Sequence, residues 1–197
     1  MARKSDEKYR ETKKNKILES ARLVFCRKGY LDVTMQDIID ECKISRGGIY
    51  LYYPSVSEIF RDVASSRNKA RFAAIRKSVD ENLPFRSVLK DYLTLQKIRL
   101  LNMENSLLRA MYEYIFSRAE GISPYVGSAH LENIRSSVLS IFSLGVKQNE
   151  VNEAEIYKLT DHFVIVIEGL GIMALTDALT EKMVDEQFEM LYEMIGR

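Results

Sequence analysis

Two cysteines, Cys26 and Cys42, are too few for a disulfide framework, and both fall at apolar helix positions. They read as core thiols of a reducing compartment. Tryptophan is absent, and the three prolines leave long stretches free to be helical. The two histidines, His130 and His162, lie far apart, and neither sits in an H-E-x-x-H pattern. There is no phosphate loop and no Cys-x-x-Cys, so the spacing offers no catalytic constellation, metal site or cofactor site. No run approaches the ~20 apolar residues of a membrane helix. The charged start lacks the apolar core of a secretory signal, so a cytoplasmic location with no membrane partner is expected.

The 197 residues are 46% apolar and 29% charged, enough for a sizeable core, with a net charge of only +1. The distribution says more than the sum. Residues 1–54 carry 12 Lys+Arg against 8 Asp+Glu, whereas the rest carries 17 against 20. A basic end of net +4 on a body of net −3 suits a protein that presents one end to phosphate.

The organising stretch is residues 34–54. Thr34 is placed to cap a helix, with Asp37 three residues on. Met35, Ile38, Ile39 and Cys42 then repeat at i, i+3, i+4, i+7, one apolar face. Lys43 and Ile44 form a turn, and Ser45 is placed to cap a second, brief helix that Gly47 and Gly48 weaken and Pro54 closes. Two short helices joined in this way have the helix-turn-helix layout, whose second helix enters the major groove of DNA. Its leading residues would be Ser45, Arg46, Gly47 and Gly48. Arg46 is long enough to pair with a guanine edge or to reach a phosphate. The glycines would let the backbone approach the duplex. Tyr50, Tyr52 and Tyr53 each offer a flat ring and a hydroxyl for a phosphate oxygen, and Thr34 offers a second anchor.

Gly29-Tyr30, Val33-Thr34-Met35, Asp37-Ile38, Ile44-Ser45, Gly47, Ile49-Tyr50, Tyr52, Ser55 and Ile59 together resemble the N-terminal domain of the tetracycline-repressor (TetR) family of bacterial transcriptional regulators. The chain departs from the family pattern in three places. Lys43 stands where a turn glycine is usual, which implies strain if its φ is positive. Tyr53 stands where phenylalanine is usual, and Val56 where a phosphate-contacting lysine is usual.

The remainder reads as helices. The first runs from about residue 9 to Lys28 behind a basic arm, with Ile17, Leu18, Ala21, Val24 and Phe25 as its stripe and Gly29 as its stop. Ser55 and Glu58 open a long fourth helix, about 56–80. Five more follow at about 85–101, 106–119, 125–147, 154–179 and 182–195. No strand alternation appears. The expected fold is all-α: a three-helix DNA-binding domain over 1–54, with its arm at 1–9, and a larger helical body over 55–197.

What the body does is read more from the resemblance than from spacing. Family members bind a small molecule there. Candidate lining residues are Phe72, Tyr92, Met103, Leu107, Met111, Tyr112, Phe116, Phe142, His162 and Phe163, a mix of adaptable and flat apolar groups that serves equally as core. Glu168 is expected inside the body, paired with Arg109, Arg135 or a cationic ligand group. Gly169 and Gly171 inside a helix imply close packing. Val184, Phe188, Leu191 and Ile195 at 4-3-4 spacing form a seam for a partner helix. The implied molecule is a homodimer that binds a palindromic double-stranded operator and is released by a small, lipophilic effector. An activator or architectural protein without an effector is the other reading.

Overall fold

The computed structural model describes residues 2–102, 106–117 and 125–195. Met103, one of the expected pocket residues, lies outside them. Every regular element among the described residues is a helix, and no strand occurs among them. The helices are α1 (Ala2–Lys28), α2 (Met35–Cys42), α3 (Arg46–Tyr50), α4 (Val56–Asp80), α5 (Phe85–Leu101), α6 (Leu108–Phe116), α7 (Tyr125–Lys147), α8 (Ile156–Leu175) and α9 (Glu181–Glu193). A 3₁₀ turn at Glu153–Glu155 leads into α8.

The chain divides into two compact units, residues 1–67 with 104–117, and residues 68–103 with 118–197. In the first, Ile17, Ala21, Val24 and Phe25 of α1 pack with Ile38, Ile39 and Cys42 of α2, Ile49 of α3, and Ile59, Phe60 and Val63 of α4. α1 reaches back to Ala2 rather than starting near residue 9, because nothing in its basic run breaks a helix. It ends at Gly29, whose φ of +81° suits glycine.

α6 also belongs to this unit. Tyr114 stacks its edge on Tyr30 at 4.7 Å between ring centres and lies 4.8 Å from Phe60. Phe25 meets Phe60 at 4.9 Å, so four rings from three helices and a loop form one cluster. The Glu113 carboxylate accepts hydrogen bonds from the backbone N–H groups of Tyr30 and Leu31 and from Arg109 Nε at 2.6 Å. Burial pushes this carboxyl up, but the Leu31 amide, Arg109 and the Tyr30 amide outweigh it and hold it below its ordinary value. A Cβ on Gly29 would run into the same carboxylate.

In the second unit α5 packs on α7, α8 and α9, and α7 on α8. Phe85, Val88, Leu89 and Tyr92 of α5 interleave with Ile134, Val138, Ile141 and Phe142 of α7 and with Phe163, Ile167 and Leu170 of α8. Phe142 and Phe163 meet edge to face at 4.9 Å. Gly145 lets α7 approach, since a Cβ there would lie 2.6 Å from Val151 and 3.0 Å from Phe85. Thr180 caps α9 by accepting from the Met183 amide at 3.2 Å. Lys97 of α5 ties α9 down through Asp185 and Glu181.

Candidate nucleic-acid interface

α2 starts with a capping box. Thr34 Oγ1 accepts from the Asp37 amide at 3.2 Å, and Asp37 Oδ2 accepts from the Thr34 amide at 2.8 Å. Lys28 donates to Asp37 Oδ1 at 2.6 Å, fastening α1 to the start of α2. The Lys28 ammonium first, then the Thr34 amide and hydroxyl, lower the Asp37 carboxyl to about 2. The sign follows from linkage: the stabilisation is complete above the ordinary value of 3.8 and drains as pH falls toward about 2. Denaturant unfolding across that range should show a pH-dependent loss that is smaller in Asp37→Asn.

The turn between α2 and α3 is tight because Lys43 takes the left-handed conformation, φ 53° and ψ 49°. Its amide donates to the Ile39 carbonyl, satisfying the end of α2. The residue that replaces the usual glycine therefore does carry positive-φ strain. Ser45 Oγ accepts from the Gly48 amide at 3.2 Å and opens α3. Ile49 is fully buried and anchors the short helix by one side chain.

That anchoring fixes what faces out. Thr34, Lys43, Ser45, Arg46 and Gly47 are exposed, and Tyr50 is 44% exposed one turn beyond Arg46. Nothing lies within 4 Å of where a Gly47 Cβ would project. Gly48 is different. A Cβ there would meet Ile44 at 2.9 Å and Ser45 at 3.0 Å, so this glycine serves the turn rather than the outer face. Leu51, which the spacing did not single out, is 78% exposed beside Tyr50. An apolar side chain there suits a thymine methyl.

Tyr53 departs from expectation. It is buried, with its hydroxyl donating to Asp62 Oδ2 at 2.9 Å. Burial, then Asp62, pushes its phenol far above the ordinary value. Lys14 pairs with the same Asp62 at 2.8 Å. This tyrosine locks α1 to α4 and offers no hydroxyl to phosphate, and Lys14 is committed to the same lock. Tyr52 is half-buried.

Residues 17–63, which hold α2, the turn and α3, match the model of bacterial regulatory proteins of the tetR family. YfiR, an uncharacterised HTH-type transcriptional regulator of Bacillus subtilis strain 168, is 30% identical over 115 residues, 58% of this chain and 56% of YfiR. Among solved structures, a TetR transcription regulator of Haloarcula marismortui ATCC 43049 superposes with a TM-score of 0.78 at 16% identity, covering 95% of this chain and all of that one. Residues 17–63 are a DNA-binding domain of the tetR family, and the chain as a whole shares the fold of that TetR regulator. A second TetR-family structure is CifR complexed with 26bp double-strand operator DNA. It superposes at a TM-score of 0.71 and 15% identity over 92% of this chain and 95% of that one. The curated relatives are matched over only about half their length, 49–56%.

The expected pocket residues divide between the two units and the surface. Phe72, Tyr92, Phe142 and Phe163 are buried in the second unit. Met111 and Tyr112 are buried and Leu107 half-buried in the first, where α6 packs. Phe116 is 67% exposed, past the last packed turn of α6, and His162 is on the solvent side of α8. Neither lines an interior. Glu168 meets Arg99 at 3.8 Å and His130 at 3.4 Å, whereas Arg109 pairs with Glu113 and Arg135 with Asp161. Val184, Phe188, Leu191 and Ile195 are buried by their own chain, so the 4-3-4 seam closes the subunit instead of waiting for a partner. Gly171 is buried as well, while Gly169 is open, with nothing near its missing Cβ.

Proposed function

We propose that this chain is a dimeric transcriptional regulator that grips a palindromic duplex with two copies of α3 and is released by a small effector bound in the second unit. The observation that carries the DNA step is the edge formed by Arg46, Gly47 and Tyr50, held outward by the buried Ile49 and the capped start of α3. A helix with one long cation at its leading end and no side chain beside it can lie close to base edges. Tyr50 offers a hydroxyl for a flanking phosphate, whereas the Thr34 hydroxyl, expected as a second anchor, is donated to Asp37 Oδ2 at 2.8 Å. The operator-bound CifR supports the reading through its shared fold. Since α4 contributes residues to both units, it is the natural carrier of an effector signal, and ligand and duplex would weaken each other reciprocally by ~1–3 kcal/mol.

A five-residue recognition helix touches few base pairs, so a two-fold pair is needed for a long site. The surface that suits the pairing is the outer face of α8 and α9. Ile165 is 69% exposed, Gly169 is open beside it, and Ile172, Met190 and Met194 are exposed too. An apolar row with a glycine in it lets a second helix approach. Sedimentation equilibrium of the purified protein at micromolar concentration should give a dimer. Ile165→Glu should give a folded monomer with at least about tenfold weaker duplex binding. A wild-type monomer that binds duplex at full strength would overturn the pairing.

A further inference from the structure

We propose that the buried face where α5 meets α7 and α8 is the head-group site of an organic carboxylate, the effector of the regulator proposed above, on which reading this inference rests. Tyr92, Gln96 and Arg99 follow one another at i, i+4 and i+7 along one stripe of α5. All three are buried, Gln96 completely and Arg99 to 7% exposure. Glu168 of α8 and His130 of α7 face the same place. Arg99 Nη2 stands 3.8 Å from Glu168 Oε1, and His130 Nε2 stands 3.4 Å from Glu168 Oε2. The first distance is an attraction but too long for a hydrogen bond.

Among the described residues, neither amide atom of Gln96 and neither Nε nor Nη2 of Arg99 has a hydrogen-bond partner. Interiors rarely hold a guanidinium and an amide in that condition. A core that only had to be filled would hold a leucine or methionine at either position.

The geometry of the open groups selects the ligand. Nε–H and Nη2–H lie on one edge of the guanidinium and point the same way, a fork that matches the two oxygens of a carboxylate. Gln96, one turn away, adds two N–H donors and one acceptor. The open valences are therefore mainly donors and call for an acceptor. Glu168, the acid that faces this place among the described residues, is already shared between Arg99 and His130, so an amine would have to compete with both. Around the stripe the unit is apolar and aromatic. Phe72 stacks on Tyr92 at 6.1 Å, and Phe142 and Phe163 are fully buried. The class that fits is an apolar monocarboxylic acid.

The test uses the full chain with octanoate and benzoate, against octan-1-ol and octylamine, read by calorimetric titration and thermal melting. Each protein's duplex affinity is measured beside it with no probe present. The carboxylates should bind wild type and raise its Tm, with the alcohol and the amine at least about tenfold weaker. Arg99→Gln should lose at least about tenfold in carboxylate affinity. Gln96→Leu should melt at or above wild type without probe, because an apolar side chain replaces an unpaired amide. It should nonetheless bind the carboxylates several-fold more weakly. Four results would overturn the proposal: an amine that binds as well as the acids, a carboxylate response that survives Arg99→Gln, a Gln96→Leu protein that melts below wild type, or no response to any probe. Intact duplex binding with any of these would sink this site alone. Loss of all duplex binding by the wild-type protein would sink the regulator reading itself.

Discussion

Glu113→Ala is expected to destabilise the first unit by about 2–3 kcal/mol, because two backbone amides and an arginine lose a charged acceptor at once. For a chain of this size that lowers Tm by roughly 5–10 °C. Glu113→Gln keeps one oxygen in place and should lose less. The wild-type contribution has a defined pH window. The carboxyl is lowered by folding, so the stabilisation is complete above its ordinary value of 4.5 and fades as pH falls through the lowered one. Gly29→Ala should fail in the same way from the other side, since the new Cβ meets that carboxylate at a positive φ. If Glu113→Ala costs under about 0.5 kcal/mol, in the range of an ordinary surface change, α6 is not a working part of the unit that carries α3.

The second large effect concerns α3. Arg46→Ala should weaken binding to a specific duplex by about 1–3 kcal/mol while leaving the melting temperature unchanged, since Arg46 is exposed. If the loss is confined to the specific site, Arg46 reads a base. If it is equal on unrelated duplexes, and the salt dependence flattens, Arg46 holds a phosphate. The two glycines separate contact from folding. Gly47→Ala has open space on the protein side and should leave the fold intact or slightly firmer, so any loss of DNA binding reports how closely the backbone approaches the duplex. Gly48→Ala presses on Ile44 and Ser45 and should lower stability as well as binding.

Much of the architecture was legible because it is written locally. α4, α5 and α7 occupy the spans expected of them, since Ser55, Pro84 and the Gln148-Asn149-Glu150 break stand at their ends. Thr34, Asp37 and Ser45 cap as their spacing implied, and Lys43 takes the turn conformation the motif requires. What was not legible depends on distant partners. Glu113 binds the amides of residues 82 and 83 positions earlier, and no local pattern announces that. The stripe Val184, Phe188, Leu191, Ile195 announces burial but not by whom, and the answer is the same chain. Tyr53 shares its chemistry with Tyr50, yet the three-residue difference turns it inward onto Asp62. A signal for the α5 cluster did exist: a glutamine and an arginine on the apolar stripe of Tyr92 are out of place in a plain core. The exposed row at Ile165 and Ile172 was masked by the apolar composition of α8 as a whole.

Paired α3 helices that read an inverted repeat are the centre of the proposed function, and selecting duplexes from a random pool with the purified protein tests them most directly. The selected sequences should share an inverted repeat with half-sites about one helical turn apart, or a multiple of it, and enrichment should collapse with Arg46→Ala. A pool that stays random, or a selected motif without two-fold symmetry that survives Arg46→Ala, would contradict it.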